Sequence, residues 1–518
     1  MSDSAHRHVN PWLIAVSVMF ATFMEVLDTT VVNVSLPHIA GSLSATIDES
    51  TWVLTSYLVA NAIILPMTGW LASRFGRKRL LMLSVVGFTT ASFLCGLAPT
   101  LGSLIIFRIA QGATGGALQP LSQAVLLEAF PPHDRGKAMG FWGLGIVVAP
   151  ILGPVLGGWL TDSYSWRWVF YINIPVGIGS IVMTKLFIFD PPYLRQESRK
   201  IDYWGIGMLA VGIGALQIIL DKGQEEDWFS SDMITTLAVI SAVTLVALVI
   251  HQLTTDDPVV DLRVFKERSY AVGVFLMTVL GFVLYGSLVL LPIMLQTLLG
   301  YPSLQAGIAM APRGIGSFFM MPLTGLMTGK FDARKLLTAG FLVGGTTLLW
   351  LSQLNLQAGY WDIFWPQLLQ GVGLSLTFVP LTTVAMDRIP RERMGNATSL
   401  FNLMRNIGGS VGIATTGTML ARHNQSTTAL LGANVTSYDG ASQAMFYQMR
   451  ARFMAAGADA VTASDRAYAA LFGMVQRQAA MVSFVGIFQL LGILFIALVP
   501  LVLLMKRPRR QGQAAAAH

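Results

Sequence analysis

Charge is what this sequence has least of. Asp, Glu, Lys and Arg make up 12% of its 518 residues, against 54% hydrophobic. Ordinary globular chains carry about 25% charged residues. A chain of this balance cannot cover its apolar surface with polar groups, so lipid must be its solvent. Cysteine is nearly missing too. Cys95 stands alone inside an apolar run, which excludes an intrachain disulfide and reads as a small buried hydrophobe. There is no GxxxxGK[ST] and so no phosphate cradle for an ATP-driven pump. There is no HExxH and no His/Cys cluster, so a membrane hydrolase would lack its ion. The expectation is no enzyme, no metal and no cofactor. No small-residue cleavage site follows the first apolar run, which carries Glu25 and Asp28. It reads as a retained span rather than a signal peptide.

What is there is apolar runs of membrane length. A bilayer core needs about 20 apolar residues per helix. The runs fall at 13–36, 52–72, 80–98, 103–127, 137–160 and 168–189, then 203–221 and 232–252. Six more follow at 270–293, 304–328, 335–353, 362–386, 397–420 and 480–504. The connectors between them alternate in charge. One set holds Arg74, Arg77, Lys78 and Arg79, then Arg135 and Lys137, then Arg195, Arg199 and Lys200. It continues with Arg263, Lys266 and Arg268, then Lys330, Arg334 and Lys335, then Arg388, Arg391 and Arg393, and ends in KRPRR at 506–510. The opposite connectors are almost free of basic residues until the long one at 421–479. The net charge of +7 therefore belongs to topology and not to nucleic-acid binding, and both termini are expected in the cytoplasm.

The chain also repeats itself. GWLASRFGRKRLL at 69–81 resembles GLMTGKFDARKLL at 325–337. QGATGGALQPLS at 111–122 resembles the stretch at 370–382, and PHDRGKA at 132–138 resembles PRERMGNA at 390–397. One offset serves all three pairs, and each pair lies on one side of the membrane. Two parallel six-span halves explain this, an arrangement common among secondary transporters. The expected division is 1–190 for the first six-helix bundle, 191–268 for two additional spans, and 269–518 for the second bundle with its long outer loop.

Charges inside spans are costly and mark function. Asp28 lies roughly 12 Å and Arg108 roughly 8 Å from the same membrane face at 1.5 Å per residue. At similar depths the two can pair. Glu25 is one turn from Asp28 on the same face, and carboxylates that close titrate as a coupled pair. These three are the candidates for proton coupling. Arg313 and Arg405 lie near the midplane of spans 10 and 13, where they either balance acids or contact substrate. Gln111 and Gln370, equivalent in the repeat, join them as candidate cavity residues. In GPVLGG, Gly153 and Gly157 share a helical face that lets a neighbour approach closely, and Pro154 can bend the helix. Gly69 and Gly76 permit a tight turn, with Arg74, Arg77 and Lys78 facing the phosphates.

These stretches resemble the major facilitator superfamily and, within it, the fourteen-span drug:proton antiporters of the EmrB type. LDTTVVNVSLP (27–37) is similar to the family's first-span motif, GWLASRFGRKR (69–79) to its loop 2–3 motif and FRIAQGATGG (107–116) to its fourth-span motif. APILGPVLGG (149–158) is similar to its antiporter motif, and WRWVFYINIPVG (166–177) and PVVDLRVF (258–265) also resemble it. The resemblance covers nearly the whole chain. It implies an all-α integral membrane protein with the major-facilitator fold, two six-helix bundles plus two extra central helices. It implies export of lipophilic molecules in exchange for protons across a bacterial inner membrane, through a cavity between the halves. A dedicated exporter of one metabolite, an organic acid or siderophore, is the alternative. A gating role for Gly153, Pro154, Gly157 and Gly158 is implied, and a charge latch around Gly69, Arg74, Gly76 and Arg77. One departure stands out: Ser73 replaces the family's usual acid, so that latch must lean on another acid or be weaker.

The loop at 421–479 is long enough to fold by itself outside the membrane. Met445, Met449 and Phe453 repeat at helical spacing, and Thr462 to Asp465 resembles a capping box opening a second helix. A helical hairpin is expected there. EmrB-type exporters work with a periplasmic adaptor and an outer-membrane channel, so the resemblance implies both as partners.

Overall fold

In a computed structural model of the chain, residues 10–190, 201–436 and 438–506 are described. The basic residues Arg195, Arg199 and Lys200, and the tail beyond Lys506, lie outside them. Helices occupy every apolar run. The first set is α1 (Pro11–Ser42), α2 (Ile47–Phe75), α3 (Arg77–Leu97), α4 (Leu101–Gly115), α5 (Leu118–Ala129), α6 (Arg135–Ser163), α7 (Trp168–Tyr171) and α8 (Asn173–Phe187). Then come α9 (Tyr203–Lys222) and α10 (Asp232–Thr254). The last set is α11 (Arg268–Ile293), α12 (Ser303–Thr328), α13 (Ala333–Leu351), α14 (Tyr360–Met386), α15 (Met394–Ala433), α16 (Gly440–Ala455), α17 (Ala460–Ala497) and α18 (Val499–Val502). Among the described residues, 10 helices are long and apolar enough to cross a membrane, or 11 if the bent α6 is one span. Helices α12, α13 and α15 have the length but a more polar composition, because they carry residues such as Arg313, Arg334 and Arg405.

The exterior is apolar where lipid would lie. Val239, Val243, Val246 and Ile250 of α10 are all exposed. Trp159, Tyr164 and Trp168 cluster at one end of the bundle, with rings 5.7 and 5.8 Å apart, and Trp361 and Trp365 are exposed near the start of α14. Amphipathic rings favour the membrane–water interface.

Helix pairings repeat across the chain. In the first set α1 packs on α6, α2 on α4, and α3 on α8. In the last set α11 packs on α15, α12 on α14, and α13 on α17. Each partner in one list stands in the position of its counterpart in the other, so the sequence repeat is a repeat of packing. Helix α9 packs on α10 and reaches both sets, touching α2 and α15. Lys222 contacts Thr51, Asp221 contacts Thr55, and Gln217 donates to Ser410 at 3.0 Å.

The two sets meet at the end that carries the basic loops. Glycine makes the approach possible. A Cβ on Gly69 would lie 2.6 Å from the backbone of Asn396, and one on Gly325 would lie 2.6 Å from the Gly136 carbonyl. Gly69 and Gly325 are equivalent in the repeat, as are Gly136 and Gly395, so the seal is the same contact made twice. Gly69 therefore serves helix contact inside α2 rather than the turn. The turn falls at Gly76, whose φ of 84 favours glycine and whose Cβ would press on the Asp190 carboxylate. Trp142 and Phe378 stack between the sets, centroids 6.4 Å apart.

The long outer connector is mostly helix. α15 runs on to Ala433, past the expected end of its span at 420. Its 40 residues make a rod of about 60 Å against a hydrocarbon core of ~30 Å. α16 and the start of α17 form the hairpin, joined by Phe446 against Tyr468 at 4.5 Å. Met445 is exposed. The expected cap at Thr462 is corrected. Asp459 caps α17, accepting from the backbone of Val461 and Thr462. It precedes the first helical residue, as a cap must, whereas Thr462 already lies in the first turn. Hydrogen bonding from the Thr462 side chain and backbone holds the Asp459 carboxyl below its ordinary range, so the cap stays charged near neutral pH. α16 has no buried residue and packs chiefly on α17.

If the glycine contacts seal the basic end, Gly69→Val or Gly325→Val should force it open. With Cys95→Ala and a reporter Ser122→Cys in α5, a membrane-impermeant maleimide should label either valine variant several-fold faster than its glycine parent. Equal labelling rates would show that the contact is not a seal.

Candidate functional site

The candidate site grows from one buried carboxylate. Asp28 lies midway along α1, fully buried in an apolar bundle. Water cannot reach it, so protein donors must solvate it. Arg108 Nη1 of α4 donates at 2.6 Å, Gln111 Nε2 at 2.9 Å and Asn173 Nδ2 at 2.7 Å. Arg108 is equally buried. Its Nη1 also donates to Gln111 Oε1 at 2.8 Å and its Nε to the Val53 carbonyl at 3.0 Å. The Tyr57 ring lies 4.1 Å below the guanidinium, a favourable place for a cation that has lost its water. Arg108 Nη2 has no hydrogen-bond partner among the described residues, so the ring face covers what no acceptor does. Asn173 is steadied by Ser92, and Ser92 by the Phe170 carbonyl.

Glu25 is also buried but poorly satisfied. Asn61 Nδ2 donates to its Oε1 at 3.0 Å, while Oε2 has no hydrogen-bond partner among the described residues. Gln119 and, through space, Arg405 act on the same carboxylate. Arg405 belongs to α15 and contacts Gln119 of α5. Asn402 donates to Gln123 at 2.5 Å, and Thr398 donates to the Pro120 carbonyl at 3.0 Å. Glu25 thus stands between the ion pair in the first helix set and a polar seam joining that set to the second.

Other sequence candidates fall elsewhere. Gly153 packs on Thr30 and Gly157 on the Val31 carbonyl, 2.8 Å from a Cβ placed there. The neighbour these glycines admit is α1 itself, within two or three residues of Asp28. Gly158 faces open space, and the side chain of Pro154 lies outside the described residues. Arg77 does not face the phosphates. It is 2% exposed and paired with Glu128 of α5, which supplies an acid where Ser73 supplies none. The Ser73 hydroxyl donates back to Trp70 of its own helix at 2.8 Å. Arg74 lies over Trp70 at 5.8 Å. Lys78 donates to the Lys185 carbonyl at 2.8 Å. Arg313 and Gln370 line a cavity among α11, α12, α13, α14 and α17, inside the second set and not between the sets. Sequence reasoning missed Asn173, Asn61, Tyr57 and Glu128. The signal for the first three was a polar or phenolic group in an apolar run at the depth of Asp28.

A family model for the Major Facilitator Superfamily matches residues 18–413. The chain belongs to this superfamily. Membership makes it a multi-pass membrane transporter of small molecules rather than an enzyme. Among its superfamily relatives, the multidrug export protein EmrB of Haemophilus influenzae is 43% identical, over 84% of this chain and 86% of that one. The fatty acid resistance protein FarB of Neisseria gonorrhoeae is 40% identical, over 96% and 97%. The crystal structure of the human organic anion transporter MFSD10 matches with a TM-score of 0.60 at 12% identity, covering 94% of this chain and 99% of that one. That likeness speaks to the fold, which is all-α and of the major-facilitator kind.

Removing one member of a desolvated pair strands the other, at a cost of ~3–5 kcal/mol. Asp28→Asn and Arg108→Gln should each lower unfolding stability in detergent, and the double variant should lose clearly less than the two losses added. Simple additivity would deny the pair an interaction.

Proposed function

We propose that this chain is a proton-driven exporter of lipophilic drugs in a bacterial inner membrane, with fourteen spans and both termini in the cytoplasm. The observation that carries the reading is the buried, hydrogen-bonded set Asp28, Arg108, Gln111 and Asn173, with Glu25 one turn away beside the polar seam. A structural ion pair alone would not need a second buried carboxylate facing the seam. The names of the relatives favour multidrug export over a single-metabolite exporter. The basic residues at that end support a cytoplasmic position for it, and with it for the seal.

The chemistry is a proton held and released. With the cytoplasmic end sealed, the Glu25 carboxylate faces outward-derived protons, and its charge is drawn to Arg405 across the seam. A proton taken up on Glu25 cancels that charge and loosens the seam. The protein then opens to the cytoplasm, where the proton leaves and a drug binds. Asp28, saturated by three donors, holds α1 against α4 and α8 through the cycle. Its pairing with Arg108 keeps the helix that carries Glu25 at a set depth and rotation. Each ligand favours a different state of one carrier, and that difference couples them. In proteoliposomes with an imposed pH gradient, the wild type should accumulate ethidium. Glu25→Gln should lose this pH-driven accumulation by at least tenfold while still inserting, and Asp28→Asn should lose it too. Wild-type rates in both variants would move the proton site elsewhere.

The outer hairpin is the proposed docking surface for a periplasmic adaptor that leads to an outer-membrane channel. Met445, Tyr447 and Met454 of the short α16, and Tyr468 and Phe472 near the start of the 38-residue α17, are exposed there. Replacing 441–470 with a short Gly/Ser linker should leave transport in proteoliposomes intact. Drug resistance of whole cells and co-purification with the adaptor should fall. Unchanged adaptor capture would place docking on another surface.

A further inference from the structure

The linker from α10 to α11 carries the PVVDLRVF stretch at 258–265, and it is tied down on both sides. Val259, Val260 and Val264 are buried. Asp261 caps the short 3₁₀ turn Leu262–Lys266, accepting from the Arg263 backbone at 3.0 Å. On one side the Val260 N–H donates to Gln252 Oε1 of α10 at 3.1 Å, and Gln252 Nε2 donates to Asp202 at 3.0 Å. Asp202 is the N-cap of α9, so this anchor is the extra helix pair. On the other side the linker grips α15. Asn396 Oδ1 accepts from the Asp261 N–H at 3.1 Å, and Asn396 Nδ2 donates to the Asp261 carbonyl at 2.7 Å. An amide offers an acceptor and a donor side by side, so it holds both backbone groups of one residue, as a neighbouring strand would. Arg393 Nε stands 3.7 Å from the Asp261 carboxylate.

Asn396 is also the residue that meets Gly69. A Cβ on Gly69 would lie 2.6 Å from its N and its Cα. One residue therefore faces two ways, its amide to the linker and its backbone to α2. The repeat isolates the difference. Gly395 corresponds to Gly136, so Asn396 corresponds to Lys137. Lys137 presents its Cα to Gly325 in the same manner, 3.0 Å from a Cβ placed there. Its side chain, partly exposed, turns back to Asp134, the N-cap of its own helix, at 2.6 Å. The glycine contacts are alike in the two copies, but what stands behind them is not. Backbone against backbone leaves no side chain to hold the contact, so it depends on where the first turn of α15 sits. Helix ends are the parts that open most easily, and here the linker holds one in place.

We propose that the α10–α11 linker is a brace for the seal, and that Asn396 is the positioning residue through which it acts. With the brace engaged, the first turn of α15 is kept against α2 and the sealed state is favoured. Without it that turn gives way, and the open state gains population. The extra helix pair, which belongs to neither six-helix set, is the fixed end of the brace. This goes beyond the export reading, because it concerns the gate and not what passes through it.

The test uses the full chain in nanodiscs, with Cys95→Ala and the Ser122→Cys reporter. It reads the rate of labelling by an impermeant maleimide, together with the melting temperature. Asn396→Ala should label several-fold faster than its parent. Lys137→Ala, a truncation at the equivalent position, should label at the parent rate. Gln252→Ala, which frees the linker at its anchored side, should speed labelling in the same direction as Asn396→Ala. Adding Asn396→Ala to Gly69→Val should add little, because both changes release one contact. A lowered melting temperature with unchanged labelling in Asn396→Ala would make the linker a structural tether and overturn the proposal. Equal effects of Asn396→Ala and Lys137→Ala, or full additivity with Gly69→Val, would overturn it too. The readout needs neither proton nor drug. Loss of export in proteoliposomes by the wild type, with these labelling differences intact, would sink the export reading and leave the brace standing.

Discussion

The structure depends on how it keeps charge where there is no water. Asp28 and Arg108 are both fully buried, and neither could stay ionised in hydrocarbon by itself. Together, with Gln111, Asn173, the Val53 carbonyl and the Tyr57 ring, they form a polar island in which Asp28 meets three donors. The island draws on α1, α2, α4 and α8, so it sets the mutual depth and rotation of four helices. Glu25 inherits its position from that arrangement. It lies beside the seam only because α1 cannot turn without breaking the Asp28 bonds.

Repetition then does two different things with one scaffold. At the basic end both copies are used alike: Gly69 meets Gly395 and its neighbour Asn396, Gly325 meets Gly136, and the seal is symmetric. At mid-depth the copies have diverged. One site holds its own carboxylate and the other holds a cation and an amide around a cavity. Helix α9 fits neither copy. It ties α2 to α15 through Lys222, Asp221 and Gln217, so it restrains how far the halves part on the side away from the seal.

Much of this was legible in the chain. The apolar runs fall where helices lie, because a membrane helix satisfies its own backbone and needs only length and apolarity. Asp28 and Arg108 were placed level by counting residues, and they touch at 2.6 Å. Counting gives depth but not azimuth. It could not say that Arg77 turns inward to Glu128 rather than outward to phosphates. It also could not say that Gly69 faces α15, or that Phe446 meets Tyr468 to close the hairpin. Helix α15 outran its apolar segment because a helix once formed propagates past the membrane face, and hydropathy marks that face and not the helix end.

The sequence by itself determined the solvent, the helices and the repeat, since these follow from local composition and from spacing along one chain. Only the tertiary structure decided which buried groups are neutralised. Asn173, Ser92 and Tyr57 come to the ion pair from three other helices, and no spacing rule links them to Asp28. Arg313 looked like Arg405 on the page: both are single cations near midplane. Folding put Arg405 on a polar seam beside Gln119 and Arg313 against leucines. The energy of a buried charge depends on what lies within a few ångströms of it in space, and that neighbourhood exists only once the helices have packed.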